Sequence, residues 1–374
     1  MRAWMALCVG MSCLGAGLAP AWSQAPKRTE APPSVEARKN DINAWTIGLA
    51  GGLLEGSYIR YAADMAKVLD DGDNLRVIPL VTFGAVGNVS DLLYLKGVDA
   101  AITQSDALDY FKRDLNIPRI GDRIHYVSPL FLNDVHICAR PEYKSLKDLE
   151  GKKVSFNTRG SAANLTGQIV FRRLNINVEA VFINNSIAME QMRKGELAAI
   201  AHVTAKPNDL FTSVKSDPAC RFLPVEYSSV FSDFYLPTSL KKEDYPAFIQ
   251  SGEVPTIAVQ NVLAVFNWPK NSDRNRKLVR FIDAYFSKFE KLQQPPHQPK
   301  WKEINVAGTV PGWTRYAAAE EALARLVPNE EKSSAQLRGQ FESFLNAQTA
   351  RRGSPLSTQE REALFGEFLK WQQR

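Results

Sequence analysis

GKKVSFNTRGSAANLTG, residues 151–167, is the stretch on which the fold turns. Val154 and Phe156 bring the β-branched and aromatic character of a strand, residues 157–160 are polar turn formers, and Ser161 suits the cap of a helix carrying Leu165, Ile169 and Val170. A strand that turns directly into a helix presents unpaired backbone N–H groups at the positive end of the helix dipole, where a carboxylate or another small anion can sit. Many α/β domains have such a corner and hold no ligand there, so the stretch defines a unit of fold before it defines a site.

The same grammar runs upstream. Residues 45–50 form an apolar run of the kind buried inside a parallel sheet, 51–57 a turn, and 57–70 a helix with Ile59, Ala62, Ala63, Met65, Ala66 and Leu69 at helical spacing. Residues 75–83 read as a second strand and 84–88 as its turn, with a helix over 88–96 capped by Asn88 and closed by Gly97. A third strand spans 98–103, and Gln104, Ser105 and Asp106 open the next helix. Strand after strand thus ends in a small or polar turn, and the carboxyl ends of strands are where open α/β sheets bind ligands.

Downstream, strands are expected at 179–183, 197–203, 220–225 and 256–266, and helices at 161–174, 186–194, 207–213 and 274–289. Residues 124–140 form a long extended segment, interrupted near Pro129 and Asn133, that is a natural path from one domain to a second. The β-branched run at 256–266 comes after a complete βα set and is placed to return to the first sheet. Two crossings between domains make a hinge.

The amino-terminal 25 residues carry Arg2 as their single charge and are otherwise mostly apolar or small. Ala19-Pro20-Ala21 and Ser23-Gln24-Ala25 both fit a small-residue cleavage pattern, so the segment reads as a secretory signal peptide cut after Ala21 or Ala25, with no permanent membrane insertion. Residues 26–43, rich in Pro and charge, read as a tether. Cleavage removes Cys8 and Cys13 and leaves Cys138 and Cys220, which an exported compartment allows to pair but which could equally be separate buried thiols. At the other end, Pro295, Pro296 and Pro299 interrupt the chain, and helices are expected over 312–326, 333–347 and 358–373, the last with Leu364, Phe365, Phe368 and Trp371 on one face.

The 374 residues suffice for two domains with a core in each, and 45% hydrophobic with 23% charged residues is an ordinary globular balance. The formal charge of +6 is modest for this length, and no nucleic-acid-binding element is present. It does favour the approach of anionic solutes. No CxxC or Cys/His spacing points to a metal, and His125, His136, His202 and His297 are scattered singly, so no cofactor is expected. GxSxG, HExxH and Walker-type motifs are missing, which leaves an enzyme reading with only Ser161 and a histidine brought together in space.

Taken together, these stretches resemble the TAXI family of extracytoplasmic solute-binding proteins, the receptors of tripartite ATP-independent periplasmic (TRAP) transporters. The matching pieces are Gly56-Ser57-Tyr58, VTFGAVGNVSDL at 81–92, AAITQSD at 100–106, SLKDLEGKKVSFNTRGSAAN at 145–164, KGEL at 194–197 and Ala205-Lys206-Pro207, in that order and spacing over roughly residues 45–287. The resemblance implies an α/β, two-lobed, type II periplasmic-binding-protein-like fold. Lobe 1 would comprise residues 44–138 plus 256–290, lobe 2 residues 139–255, and a helical extension residues 291–374. It also implies a periplasmic receptor that closes on a small carboxylate, a dicarboxylate or a glutamate-like amino acid, and delivers it to TRAP membrane subunits.

The solute would lie among Gly56, Ser57, Tyr58, Gly84, Asn88, Gln104, Ser105 and Asp106 of lobe 1 and Thr158, Arg159, Gly160, Ser161, Asn164 and Pro207 of lobe 2. The chain departs from the family pattern where Leu53-Leu54-Glu55 lengthens the first turn and places a carboxylate beside the expected site. It departs again where Gly84-Ala85-Val86-Gly87 lacks the usual hydroxyl. Three other readings stay open: an ABC-transporter receptor for another small anion, a receptor feeding a sensor kinase through the face around Trp371, and an exported α/β enzyme.

Overall fold

The computed structural model describes residues 34–72, 74–213 and 220–326. Among these, ten strands build one sheet. They are β1 (Thr46–Ala50), β2 (Arg76–Leu80), β3 (Ala100–Gln104), β4 (Ile124–Ala139), β5 (Lys153–Ser155), β6 (Glu179–Val181), β7 (Ala199–Thr204), β8 (Arg221–Leu223), β9 (Tyr235–Lys241) and β10 (Glu253–Phe266). The order is β2-β1-β3-β10-β4-β7-β5-β6, with β8 on β4 and β9 on β10. β1 pairs in parallel with β2 and β3, and β5 pairs in parallel with β6 and β7, whereas β4 and β10 run antiparallel to their neighbours.

Two βα sets are therefore joined through two long antiparallel strands. β4 pairs with β10 from Ile124 to Asp134 and with β7 from Asp134 to Ala139, so it changes partner at Asp134. β10 makes the matching change, pairing with β9 up to Val259 and with β3 from Asn261. Two α/β lobes, joined by β4 and β10, give the type II periplasmic-binding-protein arrangement. Pro129, read in the sequence as an interruption, lies within β4 opposite Val262, where the register of β10 is irregular between Gln260 and Val262. A local irregularity of this kind is where a sheet accepts proline.

In the first lobe, the helix Ser57–Leu69 buries Tyr58, Tyr61, Ala62, Met65 and Leu69 against the sheet, and Asp273–Ser287 buries Leu278, Phe281, Ile282, Tyr285 and Phe286. Residues 299–326 pack on the same lobe. The Trp301 indole donates to Asp64 Oδ2 at 2.9 Å, and the buried Arg315 guanidinium donates to the carbonyls of Val127, Val306, Ala307 and Gly308. In the second lobe, Phe156, Leu165, Ile169, Val170 and Phe171 fill the space under the helical run over 163–173. A separate cluster holds Met189, Met192, Phe211, Phe222 and Tyr245 beside Cys138 and Cys220, which are bonded as a disulfide with Cα atoms 5.6 Å apart.

Several expected boundaries shift. The helix expected over 88–96 spans Ala85–Tyr94, because Gly84 (φ +109°) turns the chain ahead of Asn88 and becomes the cap. The strand Tyr235–Lys241 had no clear alternation in sequence; it is recruited as the outer partner of β10. The helix expected from residue 312 begins at 317, since Gly312 is left-handed (φ +76°) and Arg315 bridges Tyr126. The tether contains a helix, Val35–Ala44, with no buried residue. The signal peptide and the helices expected over 333–347 and 358–373 lie outside the described residues. Among the described residues no helix is long and apolar enough to cross a membrane.

Candidate functional site

Where β4 and β10 change partners, the two lobes face each other across a cavity of about 40 Å³. First-lobe lining comes from Gly52, Leu53, Glu55, Gly56, Ser57, Tyr58, Phe83 and Gly84, and second-lobe lining from Asn157, Ser161, Ala162, Ala163 and residues 202–204. Asn133, at the crossing, also lines it. The space suits about three water molecules.

Two helix starts meet here. Ser57 begins the helix Ser57–Leu69, whose preceding residue Gly56 has no side chain to cap it, so first-turn N–H groups are left for another acceptor. On the far side, Ser161 Oγ accepts from Asn164 N at 3.1 Å while Asn164 Oδ1 accepts from Gly160 N at 3.0 Å, a reciprocal cap that fixes the corner expected from the sequence. The third helix start is already taken. Val86 N and Gly87 N donate to the carbonyl of Gly160 at 3.0 and 3.2 Å, so first-turn amides of one lobe are satisfied by backbone of the other. Gly160 is left-handed (φ +86°), and a Cβ there would come within 3.2 Å of Phe83 Cβ.

The polar groups are held by chains of hydrogen bonds with a definite sense. Phe131 C=O can only accept, so Asn261 turns Nδ2 to it at 2.8 Å and accepts with Oδ1 the Tyr58 hydroxyl proton at 2.7 Å. The Tyr58 oxygen in turn accepts from Asn133 Nδ2 at 3.2 Å. Nearby, His202 accepts at Nδ1 from Asn185 Nδ2 (2.8 Å) and donates from Nε2 to Asn208 Oδ1 (3.2 Å), an assignment forced by the Asn208 oxygen also accepting from Leu210 N. Burial, with the neighbouring His136 adding to it, lowers the His202 pKa to about 3, and burial lowers that of His136 similarly. Both imidazoles are neutral in the physiological range.

One charged side chain lies in the cavity wall. Glu55 accepts from Asn184 Nδ2 at 3.0 and 3.1 Å and from Ser186 Oγ at 3.3 Å, which ties the lengthened first turn to the opposite lobe. Glu55 is the one charged residue in the cavity wall; no lysine or arginine lines it.

Of the residues expected at the site, Gly56, Ser57, Tyr58, Gly84 and Ser161 line the cavity. The others do not. Asn88 is fully buried, and its amide ties the turn after β1 to the middle of β3, donating to Gly51 O and Ile102 O at 2.6 Å each and accepting from Thr82 at 2.6 Å, so it is out of a solute's reach. Asp106 is buried against Thr166 (2.6 Å) and Tyr235 (2.9 Å), with Gln104 beside it through Thr166. Burial raises the Asp106 pKa to about 6, and the two hydroxyls pull it part of the way back. Ser105 holds Trp313 through its carbonyl. Arg159 is exposed and stacks on the Phe182 ring at 4.0 Å. Thr158, Gly160 and Asn164 shape the corner from behind, and Pro207 lines a separate groove with Arg60, Asp244 and Lys300.

His202, Thr204, Asn133 and Phe83 line the cavity as well and are not among the residues expected there. Thr204 and His202 sit at the carboxyl end of β7, where the strand-end rule would have found them. Asn133 gave only the signal of a polar break in an apolar run. Among the described residues no group of three His, Cys, Asp or Glu could hold a metal.

A model of the NMT1-like family matches residues 49–308. No curated protein matches the chain. Among solved structures, similar chains include a Streptococcus pneumoniae ABC uptake transporter substrate-binding protein with bound histidine (11% identity, 73% of this chain and 98% of that one, TM-score 0.43). A cysteine-binding protein from Campylobacter jejuni (15%, 72% and 98%, 0.39) and a mutant of ArgBP from T. maritima (13%, 69% and 93%, 0.40) are also similar. Likeness this distant transfers no ligand to the present chain.

Proposed function

The chain belongs to the NMT1-like family, and from that membership we propose that it is an extracytoplasmic solute-binding receptor of the TAXI type, closing two lobes on a small carboxylate and handing it to TRAP membrane subunits. The observation that carries this reading is the cavity at the strand crossing, walled by the helix starts at Ser57 and Ala163 from opposite lobes. A carboxylate there would receive first-turn N–H groups from both sides. Bonds that need both lobes form fully only on closure, so a solute held this way binds the closed state better and shifts the population toward it. The residues proposed to touch solute are Gly56, Ser57, Tyr58, Gly84 and Ser161, joined by Asn133, Ala162 and Thr204.

Lobe 1 in this reading is residues 44–138 with 256–290, and lobe 2 is residues 139–255, with the hinge at Asp134 and Val259. The Cys138–Cys220 bridge fits a chain working in an oxidising compartment outside the cytoplasm. The experiment is a thermal-shift screen of small carboxylates against the purified chain, with saturable binding and no turnover expected. A ligand at 100 times its Kd adds about 2.7 kcal/mol of stability. Silence across mono- and dicarboxylates, or formation of a product, would overturn the reading.

A further inference from the structure

We infer that the solute is a monocarboxylate with an apolar body, and that Leu53 and Phe83 are the side chains that select it over a dicarboxylate of the same length. The inference rests on the receptor reading and narrows its solute class.

The wall offers a solute less polarity than its composition suggests. Tyr58, Asn133, Asn157, Ser161, His202 and Thr204 line the cavity, yet each is at most 5% exposed. Their polar atoms mostly serve the fold. The Tyr58 hydroxyl bonds Asn261 and Asn133, the two His202 nitrogens bond Asn185 and Asn208, and Ser161 Oγ holds Asn164 N. The lining side chains that keep more surface are Leu53, Glu55, Ser57, Phe83 and Ala162. Three of these five are apolar, and Phe83 is 63% exposed. A lone surface Phe needs no explanation, but one that lines a cavity between lobes together with Leu53 and Ala162 gives a solute apolar area to cover.

A single corner is set up for oxygen. Ser57 Oγ accepts from Ala205 N at 3.2 Å and lies 2.8 Å from Thr204 Oγ1. Thr204 Oγ1 accepts from Asn208 Nδ2 at 3.3 Å and gives its own proton to Ser57, which leaves the Ser57 proton for a solute oxygen, beside the helix start that Gly56 does not cap. One carboxylate uses that corner up. For a second one the lining residues include neither Lys nor Arg, and Glu55 is a like charge. A charged terminus set against Leu53 and Phe83 would lose water and find no partner, whereas a methyl terminus there gains by leaving water.

The test is calorimetric titration of the purified chain with acetate, butyrate, valerate, glutarate, L-norvaline and L-glutamate. Valerate and glutarate share a carbon chain and differ at one terminus, methyl against carboxylate; norvaline and glutamate differ in the same way. Valerate is expected to bind at least about tenfold more tightly than glutarate, and norvaline than glutamate, and the methylene added from butyrate to valerate should gain about threefold. Phe83→Ala should bring the valerate-to-acetate ratio toward one; a ratio unchanged from the parent would mean that Phe83 serves packing alone and would overturn its role. Leu53→Lys, at a partly exposed position, puts a cation in the wall and should raise glutarate affinity relative to valerate. Parity within either pair, or a preference for the dicarboxylate, would overturn the inference and leave the receptor reading standing. Absence of binding by every probe would remove both.

Discussion

The carbonyl oxygen of Gly160 lies 3.0 Å from the backbone nitrogen of Val86, and through this bond the corner of one lobe occupies the first turn of a helix in the other. Position 160 is left-handed (φ +86°) and pressed against Phe83, so Gly160→Ala meets both a backbone cost and a contact. It should destabilise the closed arrangement by about 1–2 kcal/mol. Solute titration should show affinity lowered about tenfold; unchanged affinity would show that the latch is not part of closure.

Asn88 joins Gly51, just past β1, to Ile102 in the middle of β3 through its amide. Asn88→Leu keeps the volume and leaves two carbonyls buried without donors, so a loss of about 3 kcal/mol in urea denaturation is expected. A loss of under about 0.5 kcal/mol would mean that water replaces the amide.

Cys138 and Cys220 are 82 residues apart in sequence. Closing a loop of that length restricts the unfolded chain, and reduction should lower stability by about 4.5 kcal/mol in the chain-entropy account. Denaturation with and without reductant measures it, and coincident curves would refute it.

Two opposed titrations shape the acid limb. His136 and His202 are neutral when buried and have folded pKa values near 3, below their unfolded ones near 6.5, so the unfolded state binds more protons and stability falls as pH drops below about 6.5. Asp106 works the other way. Its folded pKa near 6 lies above the unfolded carboxylate value, so acidification from pH 6 to 4 restores stability that the buried charge had cost, about 1.4 kcal/mol per pH unit. Asp106→Asn should therefore lose stability more steeply than the parent between pH 6 and 4. Parallel slopes in denaturant midpoints would contradict the assignment.

Much of the architecture is legible in the sequence because its units are local. The 151–167 corner, the apolar run ending at Ala50 and the Ser57 helix each carry their own strand, turn and cap signals, and each forms within a few residues of its expected place. The site is less legible because it is made of non-local bonds. Nothing in the neighbourhood of Asn88 in sequence says that its amide will be spent on the carbonyls of Gly51 and Ile102, and nothing near Asn133 announces Tyr58 and Asn261, 75 and 128 residues away. Asp106 shows the same limit: its partners Thr166 and Tyr235 come from later in the chain, and only the assembled sheet turns a helix-opening aspartate into a buried acid.

The join between the lobes is a ladder of paired strands and has no slack loop in it. If the lobes part as proposed, β4 must twist against β10, and the register steps at Gln260/Val262 and Leu263/Ala264 are the irregular points of that ribbon. In the proposed receptor the range of opening would be set by how far a sheet can be twisted, and each swing would store elastic resistance that a floppy tether would not.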